Sequence, residues 1–302
     1  MNFIKHIILL LCSFIIGGCL LQEKEILIGI DNYDTSNMLL MAKEMGYLDK
    51  NFKIVRFSTR DDNNVSFYIG NVDIIYTTFF NSIYYYGKGE PGKIFYFTTI
   101  SLVKDGLLLR ENSKDLLGKK IGVEINNHEY YNTIIKLIPS EQLNLFKPVS
   151  LMEEEGIHLY LKGDLDGIFL HEKELNELLE EKKGFLYNNQ VIESTKIEVL
   201  VAKEELLNKK PKTLIKVIDA WNKIVSLKSE DPELYKSLYE KIERNYGYFE
   251  KDSLEIDYLT QTDNQNIRKN NLIINTYKDY LSELNKNLEF STLYQGVIEN
   301  EN

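Results

Sequence analysis

Ile26-Leu-Ile-Gly-Ile30, followed by Asp31-Asn-Tyr-Asp34, opens the stretch whose reading decides the fold. The first five residues read as a short buried strand, and the next four break it. Met38 to Tyr47 carries apolar residues at helical spacing (Met38, Met41, Ala42, Met45), with Gly46 as its stop. Phe52 to Phe57 reads as a second strand, Val65 to Ile69 as a helix closed by Gly70, and Asp73-Ile-Ile-Tyr-Thr-Thr78 as a third strand ending on two hydroxyls. Strand, helix, strand, helix, strand is the pattern of a parallel sheet with covering helices. In such sheets the ligand lies beyond the carboxyl ends of the strands. The residues there are Asp31, Asn32, Tyr33, Thr77, Thr78 and Phe79.

This ordered set resembles the type II periplasmic-binding-protein family that serves ABC importers, in particular its nitrate, sulfonate, taurine and thiamine-pyrimidine binders. The resemblance is carried by Ile28-Gly-Ile30, by Ala42-Lys-Glu-Met-Gly-Tyr-Leu48 and by Ile69-Gly-Asn-Val-Asp-Ile-Ile75. Asp115-Leu-Leu-Gly-Lys-Lys-Ile-Gly-Val123 matches a family phrase that leads into the first strand of the second lobe. Leu161-Lys-Gly-Asp-Leu-Asp-Gly-Ile-Phe-Leu170 echoes Ile69 to Ile75, as expected where both lobes share one topology. Pro211 and Ala220-Trp221 stand where the family begins and continues a long helix; Trp221 reads as a packing residue.

The resemblance implies two α/β lobes, each a mixed, mostly parallel sheet with flanking helices, joined by two hinge strands. Lobe 1 is expected over 26–105 and 200–302, and lobe 2 over 106–199. Lys93 to Thr99 reads as a strand, Ser101 to Asp105 as a loop, and Gly106 to Arg110 as the run that crosses between lobes. Gly156 to Tyr160 reads as a short strand or a helix end, and Lys196 to Ala202 as the return strand. Phe79 to Tyr86, Pro211 to Leu227, the stretch after Asp231-Pro232 and Leu272 to Leu284 read as helices. Within Tyr84-Tyr85-Tyr86, helical geometry predicts one buried ring and two on the flank.

The first residues read as an export signal. Lys5 and His6 precede the apolar run Ile7 to Ile16, which is short for a membrane span. Ile16-Gly-Gly-Cys19 resembles a bacterial lipobox, which implies a signal peptide over 1–18, acylation of Cys19 and a tether over 19–25. The same layout also fits an ordinary signal peptide or a short membrane anchor. Acyl chains at Cys19 would hold the protein in the bacterial cell envelope, at the outer face of the cytoplasmic membrane or in the periplasm. The two cysteines are Cys12 and Cys19, so a mature domain would carry no free thiol and no disulfide. Roughly 280 remaining residues suffice for a core without one.

A formal net charge of −10 disfavours nucleic acid as a partner. No Gly-x-Ser-x-Gly, His-Glu-x-x-His or phosphate loop is present, so no catalytic residue, metal or cofactor is expected. Eukaryotic pyrimidine synthases of this fold depend on a cysteine-rich run that the mature chain lacks. What the resemblance implies is a monomeric solute-binding lipoprotein. It would capture a small molecule by hinge closure and present it to an ABC permease and its ATPase. A sensor or surface protein on the same fold is the other reading.

In the second lobe, Asn126, Asn127 and His128 open a helix where family members hold a polar ligand group on helix amides; Asn126 or Asn127 also fits the helix cap. His171 and Glu172 follow a strand, with Lys173 in place of the family's proline. Two ligand classes stay open. One is a nitrogenous ring such as a thiamine-pyrimidine precursor, stacked on Tyr33 or Phe79 with Asp31 and Glu172 accepting its N–H donors. The other is a sulfonate, taurine or nitrate-type anion held by Thr77, Thr78, Asn127 and helix amides. Acidic residues at the pocket edges favour the first.

Overall fold

A computed structural model describes residues 25–89, 92–124, 134, 136–151, 153–247, 256–283 and 288–296. The expected signal segment and Cys19 lie outside the described residues. Strands β1 (Ile26–Ile30), β2 (Phe52–Arg56) and β3 (Ile74–Thr78) are parallel, with β1 in the middle. Helices α1 (Asn37–Glu44), α2 (Arg60–Tyr68) and α3 (Phe79–Tyr86) connect and follow them. Gly46 and Gly70 end the first two helices with φ of 74° and 91°, a conformation that costs other residues a steric clash.

Helix α2 starts five residues before the apolar periodicity does. Thr59 caps it by accepting a hydrogen bond from the Asp62 N–H at 3.1 Å, so the polar run Arg60-Asp61-Asp62 is already helical. This places Arg60 in the first turn, just past the carboxyl end of β2.

Two long strands cross the molecule. β4 (Lys93–Leu109) runs antiparallel to β9 (Ile192–Ala202), in a register from Lys93 opposite Ala202 to Asp105 opposite Ile192. Ser101 to Asp105, expected as a loop, is thus part of β4. A backbone crossing between two cores must pair its N–H and C=O groups, and the ladder with β9 does this. β3 joins the other edge of β9 at Ile74 to Thr78. Beyond β4 the sheet continues through β7 (Gly167–His171) and β5 (Lys120–Glu124) to β6 (Lys147–Leu151), giving the order β2-β1-β3-β9-β4-β7-β5-β6. The short strands β8 (Phe185–Leu186) and β10 (Ile256–Tyr258) add to β4.

Alternation along the strands separates the cores. Ile26, Ile28, Ile74 and Tyr76 pack on one side of the first half-sheet, under α1, α7 (Pro211–Glu230) and α8 (Pro232–Tyr246). Ile75, Val199 and Val201 pack on the other, against α3 and α10 (Asn271–Glu283). Two smaller cores flank β5 and β7: one includes Leu107, Ile121 and Phe169, the other Leu108, Ile168 and Leu170. The second of these lies under α4 (Glu153–Lys162) and α5 (Glu172–Glu180), so Gly156 to Tyr160 is the middle of a helix. α6 (Glu204–Lys209), α9 (Gln261–Gln265) and α11 (Phe290–Leu293) complete the described helices. Tyr84, Tyr85 and Tyr86 are all half-buried. None of the three is the fully buried ring expected, and the Tyr85 ring stacks on Tyr68 at 4.3 Å. Among the described residues, no helix is long and apolar enough to cross a membrane.

Trp221 is fully buried and stacks on Tyr76 at 5.6 Å. Trp221→Ala should therefore lower unfolding stability by about 3–5 kcal/mol in urea titrations. A loss well under 1 kcal/mol would contradict this packing role.

Candidate functional site

The carboxyl end of the first half-sheet holds a buried ion cluster built from five separate segments. Asp31 follows β1 and is 0% exposed. Its Oδ1 accepts the Tyr33 N–H at 3.1 Å, and its Oδ2 accepts from Arg60 Nε at 2.5 Å. Arg60 turns its Nη2 to Glu198 Oε1 at 2.9 Å. Glu198 lies on β9, its side chain only 2% exposed. Its Oε2 accepts from Thr35 Oγ1 at 2.7 Å, from Thr99 Oγ1 at 3.0 Å and from the Tyr76 hydroxyl. Lys196, two residues before Glu198 and on the same face of β9, brings its Nζ to 3.7 Å from Glu198 Oε1.

The two cations lie nearer the surface than the two anions. Arg60 and Lys196 are each 12% exposed, and both approach the Tyr33 ring, at 4.2 Å and 4.6 Å from its centroid. The face presented at this end of the sheet is therefore an aromatic ring flanked by two cations, with the matching carboxylates buried behind. Arg56, at the end of β2, donates to Asn32 Oδ1 and to the Tyr246 carbonyl.

Burial pushes the Asp31 carboxyl above its ordinary value, against the pull of the Arg60 charge. Burial also opposes ionisation of Glu198. There the charges of Lys196 and Arg60, with hydrogen bonds from Tyr76 and Thr35, outweigh it and hold the carboxyl down at about 2. Burial and the Glu198 charge raise the Tyr76 hydroxyl well above its usual range.

The structure brings Asp31, Asn32 and Tyr33 together at this face. Thr77, Thr78 and Phe79 lie behind it. Thr77 is buried and donates to Asn64 Oδ1 at 2.7 Å. Thr78 caps α3 by accepting the Asn81 N–H at 3.1 Å. Phe79 is fully buried among Phe97, Tyr277 and Tyr280, so its ring is part of the core. In the second half-sheet, His171 ends β7 with its Nδ1 2.6 Å from Asp105 Oδ1. Glu172 begins α5 and meets Lys104 Nζ at 3.2 Å. Asn127 and His128 lie outside the described residues. Among the described residues, no three His, Cys, Asp or Glu side chains are grouped to hold a metal ion.

A polar track joins the two groups. Thr99, Ser101, Val103 and Asp105 of β4 stand opposite Glu198, Lys196, Ser194 and Ile192 of β9, and Asp105 also stands opposite His171 of β7. Arg60, Lys196, Glu198, Thr35, Tyr76 and Thr99 were not among the residues singled out in the sequence. Two signals were present: the cap pattern Thr59-x-x-Asp62, and polar residues at alternate positions in Ser194-Thr-Lys-Ile-Glu198.

Glu198 has a pH signature. Its folded value is below the ordinary 4.5, so its ionised form favours the folded state above pH 4.5, and that contribution is lost as pH falls towards about 2. Asp31 acts in the opposite sense: its penalty is complete above the raised value and gone below 3.8. Glu198→Gln should be less stable than the wild type near neutral pH, and the gap in urea midpoints should narrow below 4.5. A gap constant with pH would contradict the ionised, charge-paired Glu198.

No protein-family model matches the chain, and no curated protein matches it in sequence. Solved structures do match its fold. The alkanesulfonate-binding protein SsuA from Xanthomonas axonopodis pv. citri, bound to MOPS, superposes with a TM-score of 0.57 at 11% identity, covering 91% of this chain and 99% of that one. A Staphylococcus aureus ligand-binding component of an ABC-type import system, with zinc bound, gives 0.59 at 15% identity over 92% and 99%. A conserved Candida albicans gene product with the generic periplasmic-binding-protein fold gives 0.60 at 16% identity over 90% and 96%. With its two half-sheets joined by β4 and β9, the chain has the type II periplasmic-binding-protein fold.

Proposed function

We propose that the chain is the solute-binding component of an ABC importer and that its ligand is a small organic anion of the sulfonate kind. The observation that carries this is the pair of cations, Arg60 and Lys196, beside the Tyr33 ring at the carboxyl end of the first half-sheet. The nitrogenous-ring reading relied on the acidic residues Asp31 and Glu172 as acceptors. Asp31 is already engaged by Arg60 at 2.5 Å, and Glu172 by Lys104 at 3.2 Å. The charges facing outward at Tyr33 are positive. The presence of sulfonate binders among the structural neighbours supports the same choice.

In this reading Arg60, Lys196, Tyr33 and Asn32 receive the anionic group. The second lobe contributes His171, Glu172 and the segment at Asn127 and His128. Binding favours closure because only the closed form lets one ligand touch both sets. No bond is made or broken. Lipid at Cys19 would keep a monomeric domain beside the permease and ATPase that it serves.

Calorimetry with ethanesulfonate, nitrate and 2-aminopyrimidine tests this. Ethanesulfonate should bind and raise the melting temperature. Lys196→Met should weaken it at least about tenfold, because a charge-assisted hydrogen bond contributes about 1.5–3 kcal/mol. Binding of aminopyrimidine without sulfonate would overturn the anion reading.

A further inference from the structure

The four charged side chains of the buried cluster sum to zero. Arg60 and Lys196 supply two positive charges, and Asp31 and Glu198, both buried, supply two negative ones. An incoming sulfonate therefore adds an uncompensated negative charge to a desolvated cluster. Such a charge is costly unless something neutralises it. Resting on the anion reading above, we infer that ligand capture is coupled to the uptake of one proton by Asp31.

The geometry singles out Asp31 as the acceptor. Glu198 is held by hydroxyls of Thr35, Thr99 and Tyr76 and by two cations. Asp31 has Arg60 as its ion-pair partner and one backbone N–H at its other oxygen. When the guanidinium turns towards the ligand, Glu198 keeps Lys196 and three hydroxyl donors. Asp31 loses the charge at Oδ2, and a proton from solvent takes that place. The carboxylate becomes a neutral carboxyl, the sulfonate stays ionised, and the cluster returns to zero net charge. Asp31 also has the raised affinity for protons that burial gives it.

The other charged groups around Asp31 do not supply this compensation. Tyr76, on β3, is already protonated and its hydroxyl is pushed further from titration. Arg56, on β2, is directed to Asn32 and Tyr246. Asp34, in the same loop as Asp31, faces the Tyr239 hydroxyl of α8. The titratable pair His171 with Asp105 stands farther along, on β7 and at the far end of the β4–β9 ribbon from Thr99. It is the competing acceptor that the variants below separate.

Ethanesulfonate is a strong acid and brings no proton of its own, so it is the probe. In a pH-stat titration of the unbuffered, purified protein, each bound ethanesulfonate should consume about one proton at pH values above the raised titration point of free Asp31, and affinity there should fall by up to about tenfold per pH unit as pH rises. Asp31→Asn should bind with no proton uptake and no such slope. Glu198→Gln gives the cluster one net positive charge, so it too should bind without uptake. Circular dichroism checks that both variants are folded. Binding by the wild type with no proton uptake overturns the coupling while leaving the anion reading intact. Uptake that persists in folded Asp31→Asn assigns the proton elsewhere and also overturns it. If ethanesulfonate does not bind the wild type, the anion reading fails, and this inference fails with it.

Discussion

One guanidinium shared between two buried carboxylates is the constraint on which the candidate site depends. Arg60 reaches Asp31 with Nε and Glu198 with Nη2, a fork that a lysine in its place does not provide. Removing Arg60 leaves the buried Asp31 without its ion-pair partner, which is far more costly than the intact cluster. The carboxylates come from β1's end and from the middle of β9, and the guanidinium from the first turn of α2. The cluster therefore fixes the crossing strand β9 to the loop and helix of the first half-sheet at one point. Beyond that point the support thins. Among the described residues, Leu102 to Lys104 of β4 and Glu193 to Thr195 of β9 pair with each other and with no third strand. A two-stranded ribbon twists more readily than a sheet flanked on both edges. Bending is thus easiest between the ion cluster and the Asp105–His171 pair.

Whole-chain charge is a poor guide to such a site. The protein carries a formal charge of −10, and the residues that sequence reading placed at the strand ends were mostly acidic or neutral. Coulomb energies at separations of 3–4 Å in a desolvated region exceed those across a solvated surface many-fold, and salt screens the latter. The sign that a ligand meets is set by which member of each ion pair is nearer the surface. Here Arg60 and Lys196 are nearer than Asp31 and Glu198.

What the sequence made legible, and what it did not, follows from how local each signal is. β1, β3, α3 and the stops at Gly46 and Gly70 depend on short-range periodicity and on backbone conformations that glycine tolerates, and they are read directly. The continuation of β4 through Ser101-Leu-Val-Lys-Asp105 is not, because polar and apolar residues do not alternate there and the run ends on two charges, as a surface loop does. Its strand state comes from pairing with β9 some ninety residues later in the chain. Asp31, Asn32 and Tyr33 are legible as a site because a topological rule puts residues after a parallel strand at the ligand end. Phe79 obeys the same rule and still lies in the core, since the rule fixes where a backbone ends and not where a side chain turns. Arg60 sits one residue after Thr59, whose cap pattern with Asp62 precedes the apolar periodicity by a full turn and marks a helix start without marking a site. Lys196 and Glu198 reach the site by register, which no local window contains.

The polar track along β4 and β9 links these observations to closure. Glu198 and Lys196 belong to the same strand as Ser194, and Asp105 belongs to the strand opposite. In the proposed anion reading, a ligand group that draws Arg60 outward would change the load on β9 at its fixed point, a few residues from the two-stranded ribbon. In that reading, ligand charge and closure would be coupled through a covalent strand rather than through a chain of side-chain contacts. The coupling is only as large as the difference in contacts between the two states. Among the described residues, Asp105 with His171 and Lys104 with Glu172 form polar pairs beside the ribbon on the side of the second half-sheet. Under the anion proposal, the first half-sheet would discriminate by the shape that fits beside Tyr33, because the charge to be compensated is the same for every monoanion.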